Sequence, residues 1–72
     1  MRISISFDTD NAAFEDDFEA EARSISKQVG KQIVAALEGQ FKYAGLAFTS
    51  SKHVIRDSNG NLIGWIVTEA LN

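Results

Sequence analysis

The chain has 72 residues, a net charge of −3 and a hydrophobic fraction of 44%, which predicts one small folded domain over residues 1–72 rather than a disordered chain. It has no cysteine, which excludes disulfides and thiolate metal sites, and no apolar run approaches the ~20 residues of a membrane span. The acidic balance and the scattered basic residues argue against binding to the phosphate backbone of nucleic acids. We therefore expect a soluble intracellular protein.

The first predicted element is a strand at residues 2–7. Ile3, Ile5 and Phe7 alternate with polar residues in the sequence RISISF, and this period of two is typical of a strand with one buried face. Ribbon-helix-helix repressors open with a similar strand and bind DNA through it. Only Arg2 is basic on this strand, so we do not expect that class.

A long amphipathic helix is predicted at about residues 16–38. Its apolar residues recur every three or four positions and form one stripe: Phe18, Ala22, Ile25, Val29, Ile33, Ala36 and Leu37. Asp16 followed by Glu19 fits a capping box, and Gly39 fits the residue just beyond a helix end. Gly30 lies in the middle of the helix and indicates a close backbone contact, a bend or a break into two helices.

Residues 40–50 are the least informative part of the chain. They include Phe41, Tyr43, Leu46 and Phe48, which is too apolar for a free loop. We expect either a short strand or a loop that covers one end of the core.

A β-hairpin is predicted near the C-terminus, with strands at about 52–57 and 61–69. Asp57 and Gly60 fit the first and fourth positions of a type I turn that ends in a G1 bulge. A two-residue Asn59-Gly60 turn of type I′ is the alternative, and it changes the strand register. In the first register one face holds Ile55, Ile63, Trp65 and Val67, with His53 beside Trp65, and the other holds Val54, Leu62 and Ile66, with Lys52 and Arg56.

The predicted fold is α+β, with the helix packed on one face of the sheet. Because one helix covers only one face of a small sheet, apolar residues on the second face indicate a further interface. We predict a homodimer that buries Val54, Leu62 and Ile66. The alternative is that residues 40–50 fold over this face within one chain.

Seven of the ten Asp and Glu residues lie between Asp8 and Glu21, with no Lys or Arg among them. Carboxylates near a helix N-terminus are stabilised by the helix dipole by about 0.3–1 kcal/mol each, which explains part of this segment. The remainder indicates an acidic surface that either mimics DNA or docks on a basic protein partner. The residues predicted to bind the partner are Asp10, Glu15, Asp16, Asp17, Glu19 and Glu21.

No enzymatic activity, cofactor or metal site is predicted. His53 is the only histidine, and the sequence places no nucleophile and orienting group with it. Asp8, Asp10 and Glu19 have the spacing of a calcium loop, but alanines stand where that loop requires an oxygen ligand and a glycine. We interpret this spacing as accidental.

Three segments carry a resemblance to a known class: TDNAAFEDD after the first strand, EAEARSI in the helix, and DSNGNLIGWIVTE in the hairpin. They resemble short proteins encoded in bacteriophage and prophage genomes. The matching positions are Thr9, Asn11, Ala12, Ala13, Phe14, Arg23, Asp57, Asn59, Gly60, Asn61, Gly64 and Trp65. The middle of the chain, about residues 27–52, departs from that class because it is longer and more apolar.

The resemblance implies a phage or prophage origin and a location in the cytoplasm of the bacterial host, without implying an activity. We therefore expect a non-enzymatic interaction protein that inhibits a host factor or defence system through its acidic surface. The alternative is a structural subunit whose self-association through the apolar sheet face is its function.

The NAAF segment also suggests a physical role. Asn11 fits an Asx-type turn that joins the strand to the helix. Ala12 and Ala13 would permit close packing, and Phe14 would fill the core beneath the helix.

Overall fold

The computed structural model describes residues 1–42 and 50–70 and shows an α+β fold. The elements are β1 (Arg2–Phe7), α1 (Ala12–Phe41), β2 (Ser51–Arg56) and β3 (Leu62–Glu69). The strands form one antiparallel sheet in the order β1-β3-β2, and α1 packs on one face of it. The predicted strand, long helix and hairpin are confirmed. The two interpretations of residues 40–50 concern mainly residues 43–49, which lie outside the described residues.

The helix begins at Ala12, earlier than the predicted Asp16. Asn11 has an extended backbone, and its Oδ1 accepts a hydrogen bond from the Ala13 N–H at 3.1 Å. Ala13 is buried, and Phe14 packs against the core. The expected roles of Asn11 as a joint and of Phe14 as a core residue are therefore confirmed.

A kink interrupts the helix at Asp17, where φ is −157° and ψ is 85°. The Asp17 Oδ1 accepts a hydrogen bond from the Ala20 N–H at 3.1 Å, so Asp17 caps the longer, second part of the helix. The predicted capping box at Asp16 was therefore wrong by one residue. The predicted close contact or break at Gly30 was also wrong, because Gly30 has helical backbone angles and, among the described residues, no atom beyond its chain neighbours and the adjacent backbone of its own helix lies within 4 Å of the position that a Cβ would take there.

The end of the helix also differs from the prediction. Gly39 was expected to follow the last helical residue, but the helix continues to Phe41, and the Lys42 N–H donates to the Glu38 carbonyl oxygen at 2.8 Å. Gly39 has no positive φ. A glycine at this position therefore continues the α-helical backbone instead of ending it.

The core lies between the first half of α1 and strands β2 and β3. It is built from four buried isoleucines: Ile25, Ile55, Ile63 and Ile66. Ile3, Phe14 and Val29 pack against this cluster and are partly buried. Full burial of an isoleucine contributes about 1.5–3 kcal/mol, so these few side chains supply much of the stability of so small a fold.

The hairpin turn has the first of the two predicted geometries. The Gly60 N–H donates to the Asp57 carbonyl oxygen at 3.0 Å, the Asp57 N–H donates to the Asn61 carbonyl oxygen at 3.0 Å, and Gly60 has a φ of +83°. This is a type I turn that ends in a left-handed glycine. The buried Asp57 carboxylate strengthens it by accepting the N–H groups of Asn59 and Asn61, each at 2.9 Å.

A second irregularity changes which side chains share a face. Arg56 pairs with Leu62, but Ile55 pairs with Gly64 rather than with Ile63. Ile63 is therefore an extra residue in β3, which is a β-bulge. The bulge shifts the register by one position, and a one-residue shift moves the following side chains of β3 to the opposite face of the sheet relative to β2.

The predicted grouping of Val54, Leu62 and Ile66 on one face is therefore wrong for Ile66. Ile66 is 1% exposed and belongs to the core beneath the helix. Trp65, predicted on the face of Ile55, instead pairs with Val54. Val54, Leu62 and Trp65 remain exposed large hydrophobic side chains.

Gly64 allows β1 and β3 to approach each other closely. A Cβ at Gly64 would overlap the Ser6 carbonyl oxygen and would lie 2.5 Å from the Phe7 Cα. Only glycine fits this position without moving β1, so Gly64 fixes the place of β1 in the sheet.

Two polar side chains of α1 hold the hairpin against the helix. The Glu21 carboxylate accepts a hydrogen bond from the Ser58 N–H at 3.2 Å. About two turns further along the helix, the Gln28 side-chain amide bonds both backbone groups of Arg56. Its Nε2 donates to the carbonyl oxygen at 2.8 Å, and its Oε1 accepts from the N–H at 3.1 Å. These three bonds anchor the hairpin at the β2 edge of the sheet.

Candidate functional site

An open groove lies between β1 and the first half of α1. Ile5 and Phe7 pair with Ile66 and Gly64, so their side chains project from the sheet face that the helix covers elsewhere. The helix packs on β2 and β3, and Ile5 and Phe7 are left 43% and 39% exposed. The sheet is therefore wider than the surface that one helix can bury.

The groove has a volume of about 620 Å³ and mostly apolar walls. Ile5 and Phe7 form the β1 side, and the helix contributes Phe14, Phe18, Ala22, Ile25 and Val29. Phe18 is 65% exposed and stands at the rim. Such a volume and lining are typical of sites that bind small molecules or the side chains of a partner protein.

Carboxylates border one end of this groove. Glu15 lines it, and the lining residue Thr9 lies between Asp8 and Asp10 in the chain. Both aspartates are exposed. An apolar groove with an acidic border favours a ligand that combines apolar groups with positive charge.

The structure leaves five of the six predicted partner-binding acids exposed: Asp10, Glu15, Asp16, Asp17 and Glu19. Glu15 is the one that lines the groove, and Asp17 also caps the helix. Glu19 forms an exposed ion pair with Arg23 at 3.7 Å, which contributes little to stability at the surface. Their role in binding stays a prediction.

Glu21 does not lie on that surface. It is 4% exposed and bonds the Ser58 N–H, because the helix turns this position toward the hairpin. The prediction that Glu21 belongs to the exposed acidic surface was therefore wrong. Its place in the structure is a joint between helix and hairpin.

The opposite face of the sheet carries a second apolar surface. Val54 and Trp65 lie side by side on it, and Leu62 is exposed at the start of β3. The Lys52 Nζ lies 4.3 Å from the centroid of the Trp65 ring, a cation–π contact that covers part of the indole. This face is the predicted self-association surface, except that Ile66 does not lie on it.

The metal-ligating side chains of residues 1–42 and 50–70 do not form a cluster. His53 is exposed on β2, opposite Ile66 in the register. Within those same ranges no group of three or more His, Cys, Asp or Glu residues could hold a metal ion. The helix that the structure describes is not long and apolar enough to cross a membrane.

The sequence predicted the acidic surface but not the groove. Ile5, Phe7 and Phe18 were each assigned to the apolar face of a strand or helix, and the patterns alone placed them in the core. The sequence signal for the groove is the number of large apolar side chains on β1, which exceeds what one helix can cover. That excess becomes visible only when the helix is known to lie over β2 and β3.

Comparisons of this chain with models of protein families, with curated proteins and with solved structures found no match.

Proposed function

We propose that this chain is a non-enzymatic protein-interaction module that binds a basic and partly apolar segment of a partner protein in the groove between β1 and α1. The observation that supports this most directly is the open apolar groove with Glu15 in its wall and exposed aspartates beside it. The groove favours apolar groups in the ligand, and the carboxylates beside it favour positive charge.

The two parts of this surface contribute differently to binding. Covering Phe18, Ile5 and Phe7 removes apolar area from water, and full burial of one such side chain is worth about 1.5–3 kcal/mol. The carboxylates act over a Debye length of about 8 Å at physiological salt and mainly raise the association rate and select the sign of the partner's charge. Affinity therefore depends on the groove, and charge selectivity depends on the acids.

The biological setting that we propose follows the sequence resemblance. The chain derives from a phage or prophage and acts in the cytoplasm of a bacterial host, where it inhibits a host factor or defence system by occupying one of its surfaces. The exposed carboxylates and groove support such a role because they offer a binding surface without chemistry of their own.

The test compares capture of host proteins by three forms of the tagged chain in bacterial lysate. Phe18→Ser removes the rim of the groove, and Glu15→Lys with Asp16→Lys reverses charge at its acidic end. Asp16 is chosen over Asp17 because Asp17 caps the helix. We expect a protein retained by the wild-type chain to be lost by both variants.

The control is Glu38→Lys, which reverses the charge of one carboxylate, half the change of the double variant, at an exposed position of the helix outside the groove lining. It should retain the partner. Unchanged capture by the Phe18 and Glu15/Asp16 variants would refute the groove as the binding site.

The second candidate function is self-association through the opposite sheet face, as a structural or assembly subunit. The exposure of Val54, Leu62 and Trp65 favours it. Sedimentation equilibrium of the wild-type chain and of Leu62→Lys tests it. A dimer that the substitution converts to a monomer, with capture of partners unaffected, would assign this face to self-association and the groove to a partner.

A further inference from the structure

The outer edge of β1 has a defined set of free backbone groups. The Asp8 N–H donates to the Ile63 carbonyl oxygen at 2.9 Å, just beyond the last pair of the β1–β3 ladder. Successive residues in an antiparallel ladder direct their backbone groups alternately to the two sides. Counting back from Asp8, Ser6 and Ser4 therefore bond β3, whereas Ile3, Ile5 and Phe7 direct their N–H and C=O groups away from the sheet.

These outward-facing groups have no strand beside them within residues 1–42 and 50–70, since β1 pairs only with β3 there. The usual devices that block an edge strand are proline, a bulge or several charged residues. The chain has no proline, the pairing of β1 runs without a bulge from Arg2 to Phe7, and Arg2 is the one charged residue of the strand. With respect to the described part of the chain, the edge is therefore open for pairing.

The free edge and the groove involve the same two residues. Ile5 and Phe7 send their side chains into the groove and their backbone groups to the edge. A strand added at this edge would place every second side chain in the groove, beside Ile5 and Phe7 and against Phe18. An edge strand with an apolar groove next to it is the arrangement by which sheets bind extended peptides.

We propose that the partner segment binds as an extended fourth strand on the free edge of β1, with alternate apolar side chains in the groove. This inference rests on the proposed function and adds the conformation of the ligand. Lysine or arginine at positions flanking the apolar ones would lie near the carboxylates at the end of the groove, whereas the intervening side chains project from the opposite face of the sheet. The recognised segment is thus a basic β-strand of another protein.

Charge favours another protein over a second copy of this chain. Seven carboxylates lie between Asp8 and Glu21, six of them exposed. A second β1 strand would bring one arginine, Arg2, together with the same acidic segment. A basic segment supplies the missing positive charge, and like charges at an interface oppose association.

The test uses the full chain and an octapeptide in which lysine alternates with valine, with both ends blocked. NMR spectra and amide hydrogen exchange are recorded with and without the peptide. We expect exchange of the Ile5 and Phe7 amide protons to slow by about tenfold or more at saturation, as new backbone hydrogen bonds form. The Phe18 ring signals should shift at the same time, and a glutamate–valine octapeptide should bind at least about tenfold more weakly.

Two further peptides test the strand conformation directly. One carries N-methyl groups on all valines, and the other carries them on all lysines. Since alternate N–H groups of a bound strand point to β1, one methylated peptide should lose binding and the other should keep it. Equal binding, or equal loss, would overturn the proposal.

The outcomes separate this inference from the proposed function. Shifts of the Phe18 signals without slowed exchange at Ile5 and Phe7 would mean that the groove binds the peptide but not as a strand, which overturns the inference alone. No response to the lysine–valine peptide would overturn the inference, and the lysate capture experiment would then decide the proposed function separately. Slow exchange of both amides in the free protein, with a sedimentation mass of two chains, would assign the edge to a second copy and also overturn it.

Discussion

The two edge strands of the sheet differ in what lies beside their outward-facing backbone groups. At β2, the side-chain amide of Gln28 bonds both backbone groups of Arg56, and Glu21 bonds the N–H of Ser58 in the turn that follows. At β1, the outward backbone groups of Ile5 and Phe7 have no strand beside them in the described parts of the chain, and the adjacent side chains line a groove. One helix thus bonds the Arg56 end of one edge with polar side chains and lies beside the other edge with apolar ones.

This difference shows that one long helix can place polar residues at one edge of a narrow sheet and apolar residues at the other. The positions that face β2 and the turn after it include glutamate and glutamine, which bond backbone groups of the hairpin. The positions that face β1 include Phe14 and Phe18, which cannot form such bonds. The polar contacts at β2 stabilise the fold, whereas the β1 edge lies beside the apolar groove.

The largest effect is expected from Gly64→Ala, which would separate β1 from β3 and so remove the open edge. The new Cβ would overlap the Ser6 carbonyl oxygen and crowd the Phe7 Cα. Overpacking of this kind against backbone should lower the free energy of unfolding by about 3 kcal/mol or more, measured by urea denaturation. Gly30→Ala is the control, because its Cβ would have space among the described residues and alanine should raise stability by up to about 1 kcal/mol. Wild-type stability of Gly64→Ala would contradict the tight β1–β3 contact.

A smaller loss of stability is expected from Glu21→Ala, which removes the hydrogen bond between the helix and the hairpin turn. The Ser58 N–H would lose its acceptor in a part-buried position, at a cost of about 1–3 kcal/mol in the free energy of unfolding. Glu38→Ala, at an exposed position of the same helix, should change stability by less than about 0.5 kcal/mol. If both substitutions had equal effects in urea denaturation, Glu21 would have no anchoring role.

Gln28→Ala should open the β2 edge without breaking the fold. Its two hydrogen bonds to Arg56 are exposed to solvent, so water can replace them and the expected loss is about 1 kcal/mol. The informative measurement is exchange of the Arg56 amide proton, which should accelerate about tenfold. Gln32→Ala on the next turn of the helix is the control and should leave that rate unchanged.

The smallest effect needs no substitution. In the wild-type chain the Arg56 amide proton should exchange about tenfold more slowly than those of Ile5 and Phe7, because, of these three, only Arg56 has an acceptor at its edge within residues 1–42 and 50–70. Amide hydrogen exchange followed by NMR measures all three rates in one sample. Equal protection would show that the β1 edge is covered and would remove the contrast between the two edges.

The sequence predicted the parts of this protein that depend on neighbouring residues. The strand at residues 2–7, the long helix and the Asp57–Gly60 turn each follow from local periodicity or local hydrogen bonds, and all three are confirmed as elements of the structure. Asn11 as a joint between strand and helix is also a local feature and is confirmed. Errors at the helix ends were of the same local kind, since Asp16 and Asp17 are both good caps and only one of them takes the role.

Only the tertiary structure decided which faces are buried. The bulge at Ile63 placed Ile66 in the core instead of beside Val54 and Leu62. The direction in which the helix crosses the sheet turned Glu21 toward the hairpin and left Ile5 and Phe7 open. Local patterns determine the elements because backbone preferences act over a few residues, whereas the lateral position of a helix on a sheet is set by contacts between residues far apart in the chain.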